Sequence, residues 1–184
     1  MYKLILASQS LRRKELLKMI ESEFEIKVSN CEEIITSSEP KQVTMELAEQ
    51  KAMAVATELN RQKKNDKQIE TTVKDEDSFI VIGADTVVAS GTEIFGKPKD
   101  KDDARRMINK ISGASHQVYT GVALVLVKGG KVERIDVFSE KTDVEVVHMS
   151  SQEIEEYINS TEPYDKAGGY GIQGTFGKYV TGIK

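Results

Sequence analysis

The sequence contains little cysteine, histidine or tryptophan. Among its 184 residues are one cysteine, two histidines and no tryptophan. A single cysteine excludes an internal disulfide and a cysteine-rich zinc site, and it is typical of proteins in the reducing cytosol. Because Cys31 has no histidine near it in the sequence, a paired cysteine nucleophile is not indicated.

Long apolar runs and an excess of positive charge are also missing. No segment approaches the roughly 20 apolar residues of a membrane span. Arg12 and Arg13 interrupt the apolar run near the N-terminus, so no signal peptide is predicted. The net charge of −4 at pH 7 argues against a nucleic-acid-coating surface. We therefore expect a cytoplasmic protein with a single domain over residues 1–184, binding neither nucleic acid nor a membrane.

The N-terminal segment predicts a strand followed by a helix. Leu4–Leu6 is an apolar run typical of a strand. The next apolar residues, Leu16, Leu17 and Ile20, have the spacing of the buried stripe of a helix.

Serines and arginines lie at the junction of this strand and helix: Ser8, Ser10, Arg12 and Arg13. The first turn of a helix is unfavourable for arginine, because the helix dipole there is already positive. An anion bound at the turn removes this conflict, since backbone N–H groups, hydroxyls and guanidinium groups then converge on one phosphate. The alternative is an N-capping serine followed by two solvated arginines.

The following residues alternate between strands, loops and helices. A strand is predicted over Phe24–Val28 and a polar loop over Ser29–Glu39. A helix is predicted from Pro40 to about Leu59. Residues 60–78 are charged and nearly without apolar side chains, so we expect a solvated loop there.

The second half of the chain predicts more strand than helix. Phe79–Ile82 is predicted as a buried strand with the segment 83–86 at its end, and Asp100 can cap a helix that continues to Ile111. Lys128–Lys131 is a hairpin turn between two β-rich stretches, and Ser150 begins a capping box. This order predicts an α/β domain around a mixed, twisted sheet with flanking helices.

The polar residues at strand ends and in glycine-flanked loops form a biased set. They are Ser8, Ser10, Arg12, Arg13, Glu32, Glu33, Lys51, Asp85, Thr86, Lys97 and Gln173. Acids together with arginine, lysine and serine indicate metal-assisted chemistry on phosphates. Mg²⁺ prefers one or two carboxylates plus substrate oxygens, and Glu32, Glu33 and Asp85 can supply the carboxylates.

Asp85 is the candidate general base, because an acid at the end of a buried strand is held rigidly. The alternative for Asp85 is a helix cap or a turn-forming aspartate. For Glu32 and Glu33 the alternative is ordinary loop charge.

Seven short segments cover most of the chain outside residues 60–78. They are 6–17, 32–33, 47–52, 83–88, 96–98, 112–121 and 162–174. In this order they resemble the Maf family of nucleoside triphosphate pyrophosphatases. The resemblance implies an elongated α/β fold shared with inosine triphosphate pyrophosphatases, in which two lobes flank a deep cleft. It also implies a divalent metal, commonly Mg²⁺, and frequent homodimers; Mn²⁺ is an alternative cation.

The resemblance also implies roles for individual residues. The implied activity is hydrolysis of a nucleoside triphosphate between the α and β phosphates, which we expect to limit incorporation of non-standard nucleotides. Ser8, Ser10, Arg12, Arg13, Lys51 and Lys97 hold the polyphosphate, with Lys97 near either the α-phosphate or the leaving pyrophosphate. Glu33, with Glu32 and Asp85, positions the metal, and Asp85 is the base. A nucleotide-binding regulator of septum formation with residual hydrolysis is the alternative.

Three positions tend to separate the branches of the family, and here they are Arg12, Thr86 and Gln173. They are similar to the branch that prefers dTTP and UTP. The neutral amide of Gln173 can donate to a pyrimidine carbonyl and accept from its N3–H. Without tryptophan, the chain offers no obvious stacking platform for the methylated purine that the other branch prefers.

The sequence differs from the family pattern at two places. Leu11 stands where the family usually has proline. The sequence also ends at Lys184, where the family continues with a further segment and a final helix, so we expect the C-terminal end of the family fold to be missing.

Overall fold

The structure is a computed structural model that describes residues 2–66 and 78–184. The strands of this part are β1 (Lys3–Leu6), β2 (Glu25–Ile26), β3 (Phe79–Ser90), β4 (Glu93–Phe95), β5 (Ser115–Lys128), β6 (Lys131–Val146) and β7 (Val180–Ile183). Its α-helices are α1 (Leu11–Lys18), α2 (Pro40–Asp66), α3 (Lys101–Ile111) and α4 (Ser151–Ile158). None of the helices in these ranges is both long enough and apolar enough to cross a membrane.

The strands form one mixed sheet in the order β2-β1-β3-β5-β6-β7, with β4 paired to β3. β1 runs parallel to β2 and β3, and Ile5 lies opposite Glu25 on one side and Val81 on the other. The β3–β4 and β6–β7 pairs are antiparallel. The predicted α/β class, a mixed sheet with flanking helices, is therefore confirmed.

The chain divides into two compact units, each with its own apolar core. The first unit comprises Met1–Ser38, Gln42–Asp85 and Gly121–Ser139, and the second comprises Glu39–Lys41, Thr86–Thr120 and Glu140–Lys184. Strands β3, β5 and β6 each contribute residues to both units. The expected cleft stays a prediction.

In the first unit, helix α2 packs on the sheet through small side chains. Ala48, Ala52 and Ala56 are fully buried and share a core with Val81. A Cβ atom added to Gly83 of β3 would lie 2.2 Å from the Ala48 carbonyl oxygen, so helix and strand backbones touch there. Only glycine leaves room for this approach.

Helix α1 does not have the predicted buried stripe, and none of its residues is buried. Leu16 is 44% exposed and Ile20, beyond the last helical residue, is 87% exposed. The helix ends at Lys18, so Ile20 cannot complete a stripe with Leu16 and Leu17, and Leu11 points away from both.

The predicted boundaries of one strand and one helix in the N-terminal half are also wrong. The strand expected over Phe24–Val28 is limited to Glu25–Ile26. Helix α2 extends to Asp66, so residues 60–66 are helical rather than a loop, because lysine, arginine and glutamine favour helix even without an apolar stripe. The rest of that expected loop, 67–77, lies outside the described residues.

Strand β3 continues well beyond Ile82, where the sequence predicted its end. It runs to Ser90 because the β-branched pair Val87 and Val88 extends it and β4 pairs with its last residues. Asp85 therefore lies inside a strand and not at its end, and it is neither a helix cap nor a turn residue.

The helix caps and the hairpin turn that were predicted for the second half of the chain are confirmed. Asp100 caps α3 by accepting a hydrogen bond from the Asp103 N–H at 2.8 Å. Gly129 and Gly130 form the turn between β5 and β6 at positive φ. Ser150 begins α4 with the predicted capping box.

We predict that Gly83→Ala lowers the free energy of unfolding by about 1–3 kcal/mol, because the added methyl pushes α2 away from β3. Gly83→Val should cost more. Gly96→Ala is the matched control, since no atom lies within 4 Å of a Cβ at that position. Urea denaturation measures all three variants, and equal stability of Gly83→Ala and Gly96→Ala would contradict the close packing.

Candidate active site

The close approach of α2 to β3 also determines where Asp85 points. Residues two apart in a strand project from the same face of the sheet, so the Asp85 side chain lies on the face on which Gly83 meets α2. Lys51 follows one turn after Ala48 on that helix and reaches the same place. Helix and strand thus bring an ammonium group and a carboxylate together.

Lys51 joins two carboxylates. Its Nζ donates to Asp85 Oδ1 and lies 2.9 Å from Glu33 Oε1. The side chains of Lys51 and Asp85 are largely buried, at 17% and 15% exposure, whereas Glu33 is 49% exposed. Burial lowers the pKa of Lys51, but hydrogen bonds and charge from Asp85 and Glu33 outweigh burial and raise the pKa above its ordinary value. The ammonium group is therefore charged at neutral pH.

Arg13 is the second cation of the site. Its Nη1 donates to the Ala84 carbonyl oxygen at 2.7 Å and to Ser8 Oγ at 3.4 Å. Burial lowers the pKa of Arg13, and the negative charges of Asp85 and Glu33 offset this effect only in part. Arg13 thus connects α1 to the backbone of β3 beside Asp85.

The two serines shape the turn before α1. Ser8 is buried, and its Oγ accepts from the Ser10 N–H at 3.2 Å. Ser10 is the N-cap of α1 and accepts from the Arg13 N–H at 3.4 Å. The alternative of an N-capping serine is therefore correct for Ser10. Arg12 is solvated, since its side chain is 50% exposed and its Nη1 lies 4.0 Å from Glu15 Oε2. Arg13 is not, because it binds Ser8 and Ala84.

Helix α2 also holds the loop that carries Glu33, through two residues that the sequence analysis missed. The Gln50 amide accepts from the Ile34 N–H at 2.9 Å and donates to the Ile34 carbonyl at 2.6 Å. Glu46, one turn earlier, accepts from the N–H and hydroxyl of Thr36 at 3.0 and 2.7 Å. Their spacing of four residues on one helix face is the signal that marks such a pair.

Not every predicted metal ligand joins this network. Glu32 is exposed and lies outside the group formed by Lys51, Glu33 and Asp85. In residues 2–66 and 78–184, no three histidine, cysteine or acidic side chains come together as a metal site. The two carboxylates on Lys51 suit a hard cation that takes its other ligands from phosphate oxygens and water.

The three other candidate residues belong to the second unit. Thr86, which follows Asp85 directly, has its Oγ1 3.2 Å from Thr120 Oγ1. Lys97 lies in the exposed segment after β4, and Gln173 is exposed between α4 and β7. The structure thus brings together Ser8, Ser10, Arg13, Glu33, Lys51 and Asp85 within the first unit.

The first unit thus gathers a guanidinium, an ammonium, two hydroxyls and two carboxylates, which are the kinds of group that suit a polyphosphate and a divalent cation. The chain belongs to the Maf family, because the family model described as Maf-like protein matches residues 3–184.

Relatives with known names are similar over the whole chain. The dTTP/UTP pyrophosphatase of Agathobacter rectalis is 47% identical over 184 residues, which are 100% of this chain and 87% of that protein. The dTTP/UTP pyrophosphatase of Lachnoclostridium phytofermentans is 42% identical, covering 100% of this chain and 85% of that protein.

Solved structures are more distant. The Ham1 protein of Staphylococcus aureus has a TM-score of 0.46 at 14% identity, covering 78% of this chain and 71% of that one. A nucleoside-triphosphatase, dITP/XTP pyrophosphatase, of Mycobacterium abscessus has a TM-score of 0.43 at 11% identity, covering 81% and 76%. Both scores are low, so family membership rests on the sequence match.

The contact between Lys51 and Asp85 can be measured by a double-mutant cycle with Lys51→Met and Asp85→Asn. We expect a coupling energy of about 1–3 kcal/mol, because both groups are largely removed from water. The exposed pair Lys101 and Glu155, 3.9 Å apart, is the control and should show no coupling beyond error. Urea denaturation of the single and double variants supplies the numbers, and additive effects at Lys51 and Asp85 would refute the contact.

Proposed function

We propose that this protein hydrolyses dTTP and UTP to the nucleoside monophosphate and pyrophosphate. The observation that carries the proposal is the network of Lys51, Asp85, Glu33 and Arg13, in a chain that is 47% identical over its full length to a dTTP/UTP pyrophosphatase. The protein is thus a hydrolase acting on acid anhydrides.

Asp85 is the general base that accepts a proton from the attacking water. Its position inside β3, with α2 packed beside it, holds the carboxylate in one place, which general base catalysis requires. Lys51 orients that carboxylate through the hydrogen bond to Oδ1. Two of the three N–H donors of this ammonium group are taken by Asp85 and Glu33, and the third can reach a phosphate oxygen.

Arg13, Ser8 and Ser10 bind the triphosphate at the start of α1. The half-buried guanidinium of Arg13 already lies near Asp85 and Glu33, so it can neutralise charge that develops on the phosphates. Arg12 has an exposed side chain that can extend toward the substrate, and the role of Lys97 at the polyphosphate stays a prediction. These cations counter the negative charge of a triphosphate in a protein whose net charge is itself negative.

Glu33 and Asp85 are the residues that would hold Mg²⁺ or Mn²⁺, with Glu32 as a further candidate ligand. Carboxylate oxygens are the donors that these cations prefer, and Lys51 shows that a positive charge is favourable at the pair. When bound, the cation neutralises charge on the phosphate oxygens.

Arg12, Thr86 and Gln173 are the residues that we assign to base selectivity. Gln173 is exposed, so its amide is free to meet a ligand, and the amide can donate and accept in the pattern that uracil and thymine present. The cytoplasmic location, the homodimer and the role in limiting non-standard nucleotides stay predictions.

We predict that Asp85→Asn lowers kcat by roughly two to four orders of magnitude, because the amide keeps the shape but cannot accept the proton. Nucleotide binding should persist. Pyrophosphate release gives kcat, and calorimetric titration with dTTP gives the affinity. Asp136→Asn makes the same chemical change on β6, where Asp136 pairs with Arg134, and should be active. Near-normal turnover by Asp85→Asn would refute the assignment of the base.

The assignment of base recognition to Gln173 predicts an order of preference among nucleoside triphosphates. The values of kcat/KM for dTTP and UTP should exceed those for CTP, GTP and 7-methyl-GTP, because the Gln173 amide matches the N3–H and carbonyl of the first two. Pyrophosphate release is measured for each with Mg²⁺. A purine nucleotide leading the series would overturn the base preference. Binding without release of pyrophosphate would favour the regulator of septum formation instead.

A further inference from the structure

The candidate selectivity residue Gln173 lies in a tight turn. The Gly174 N–H donates to the Gly171 carbonyl at 3.0 Å, which closes a four-residue turn with Gln173 as its third residue. Such a turn holds a side chain in one direction only if both of its ends are attached to the rest of the protein. The end of this turn is attached to the Glu162 carboxylate, and its start packs against Lys166.

The Glu162 carboxylate binds the residues that follow the turn. Its Oε2 accepts from the N–H of Thr175 at 2.9 Å and from the hydroxyl of Thr175 at 2.6 Å. Its Oε1 lies 3.3 Å from the Tyr157 hydroxyl and 3.5 Å from the Phe176 N–H. Four donors thus converge on one carboxylate, and three of them belong to the two residues after Gly174.

The start of the turn packs against Lys166, which is held by the main chain of residue 162. The Lys166 ammonium donates to the Glu162 carbonyl oxygen at 2.8 Å. The stem of the same side chain lies against Gly171, where an added Cβ would be 2.9 Å from Lys166 Cδ. A Cβ on Gly174 would be 2.0 Å from Glu162 Oε1, so the carboxylate also lies directly against the backbone at the end of the turn.

The carboxylate is charged when it holds the turn. Partial burial raises the pKa of Glu162, but the hydrogen bonds from Thr175 and Phe176 and the charge of Lys166 outweigh burial and lower the pKa. Charge-assisted hydrogen bonds are stronger than neutral ones, so an uncharged side chain at this position is a weaker anchor.

We propose that Glu162 is a positioning residue for substrate selectivity, which holds the turn Gly171–Gly174 and thereby the direction of the Gln173 amide. The inference rests on the proposed function, in which Gln173 reads the pyrimidine base. Glu162 itself makes no contact with the substrate in this proposal; it acts through the turn.

The test is the selectivity of Glu162→Gln, which keeps the shape but removes the charge and one acceptor. We expect the ratio of kcat/KM for UTP to that for CTP to fall about tenfold, mainly through a higher KM for UTP, with kcat nearly unchanged. Thr175→Val removes one of the four donors and keeps the side-chain volume, so it should lower the ratio in the same direction by less. Glu155→Gln on α4 is the matched control, because it removes the same charge from a pair with Arg105.

A merely structural role gives a different result. It would lower the melting temperature of Glu162→Gln and reduce activity on all nucleotides alike, and this outcome overturns the proposal. An unchanged UTP/CTP ratio in both Glu162→Gln and Thr175→Val also overturns it.

Gln173→Leu separates this proposal from the proposed function. If Gln173→Leu loses the UTP preference and Glu162→Gln does not, the positioning role of Glu162 is wrong and base reading by Gln173 stands. If Gln173→Leu keeps the preference, base reading fails and the positioning role fails with it. If both single variants lose it, the double variant Glu162→Gln/Gln173→Leu should lose no more than Gln173→Leu.

Discussion

The close contact of α2 with β3 at Gly83 is the constraint on which the rest of the site depends. A side chain at this position would overlap the Ala48 carbonyl, so the glycine sets the distance between helix and strand. At that distance Lys51 reaches Asp85, which projects from the same face of the strand. A carboxylate this far from water needs a partner, and the lysine supplies it.

Charge balance explains why the other members of the site gather there. Lys51 and Arg13 bring two positive charges, and Asp85 and Glu33 bring two negative ones, so neither pair is left uncompensated. Glu33 comes from a loop without regular structure, and such a loop needs attachment. Gln50 and Glu46 provide it by binding the loop backbone from α2. Helix α2 thus carries Lys51 and also positions Glu33, the glutamate that Lys51 binds.

Sequence patterns predicted well the features that depend on neighbouring residues. The cap at Asp100, the Gly129-Gly130 turn and the capping box at Ser150 each satisfy backbone groups within a few residues, so they can be recognised without the fold. Predictions that needed distant partners were less accurate. Asp85 was placed at a strand end, yet pairing with β4 carries the strand on to Ser90. Helix α1 has apolar residues but buries none of them.

The sequence by itself determined the α/β class, the family and the residue types of the site, because composition, local periodicity and short motifs are properties of consecutive residues. Only the tertiary structure decided that Lys51 joins Glu33 to Asp85, that Arg13 binds the Ala84 carbonyl and that Glu162 holds the turn of Gln173. Lys51 and Asp85 are 34 positions apart in the chain, and Arg13 and Ala84 are 71 apart. Contacts at such separations arise from packing between elements, which no local pattern encodes.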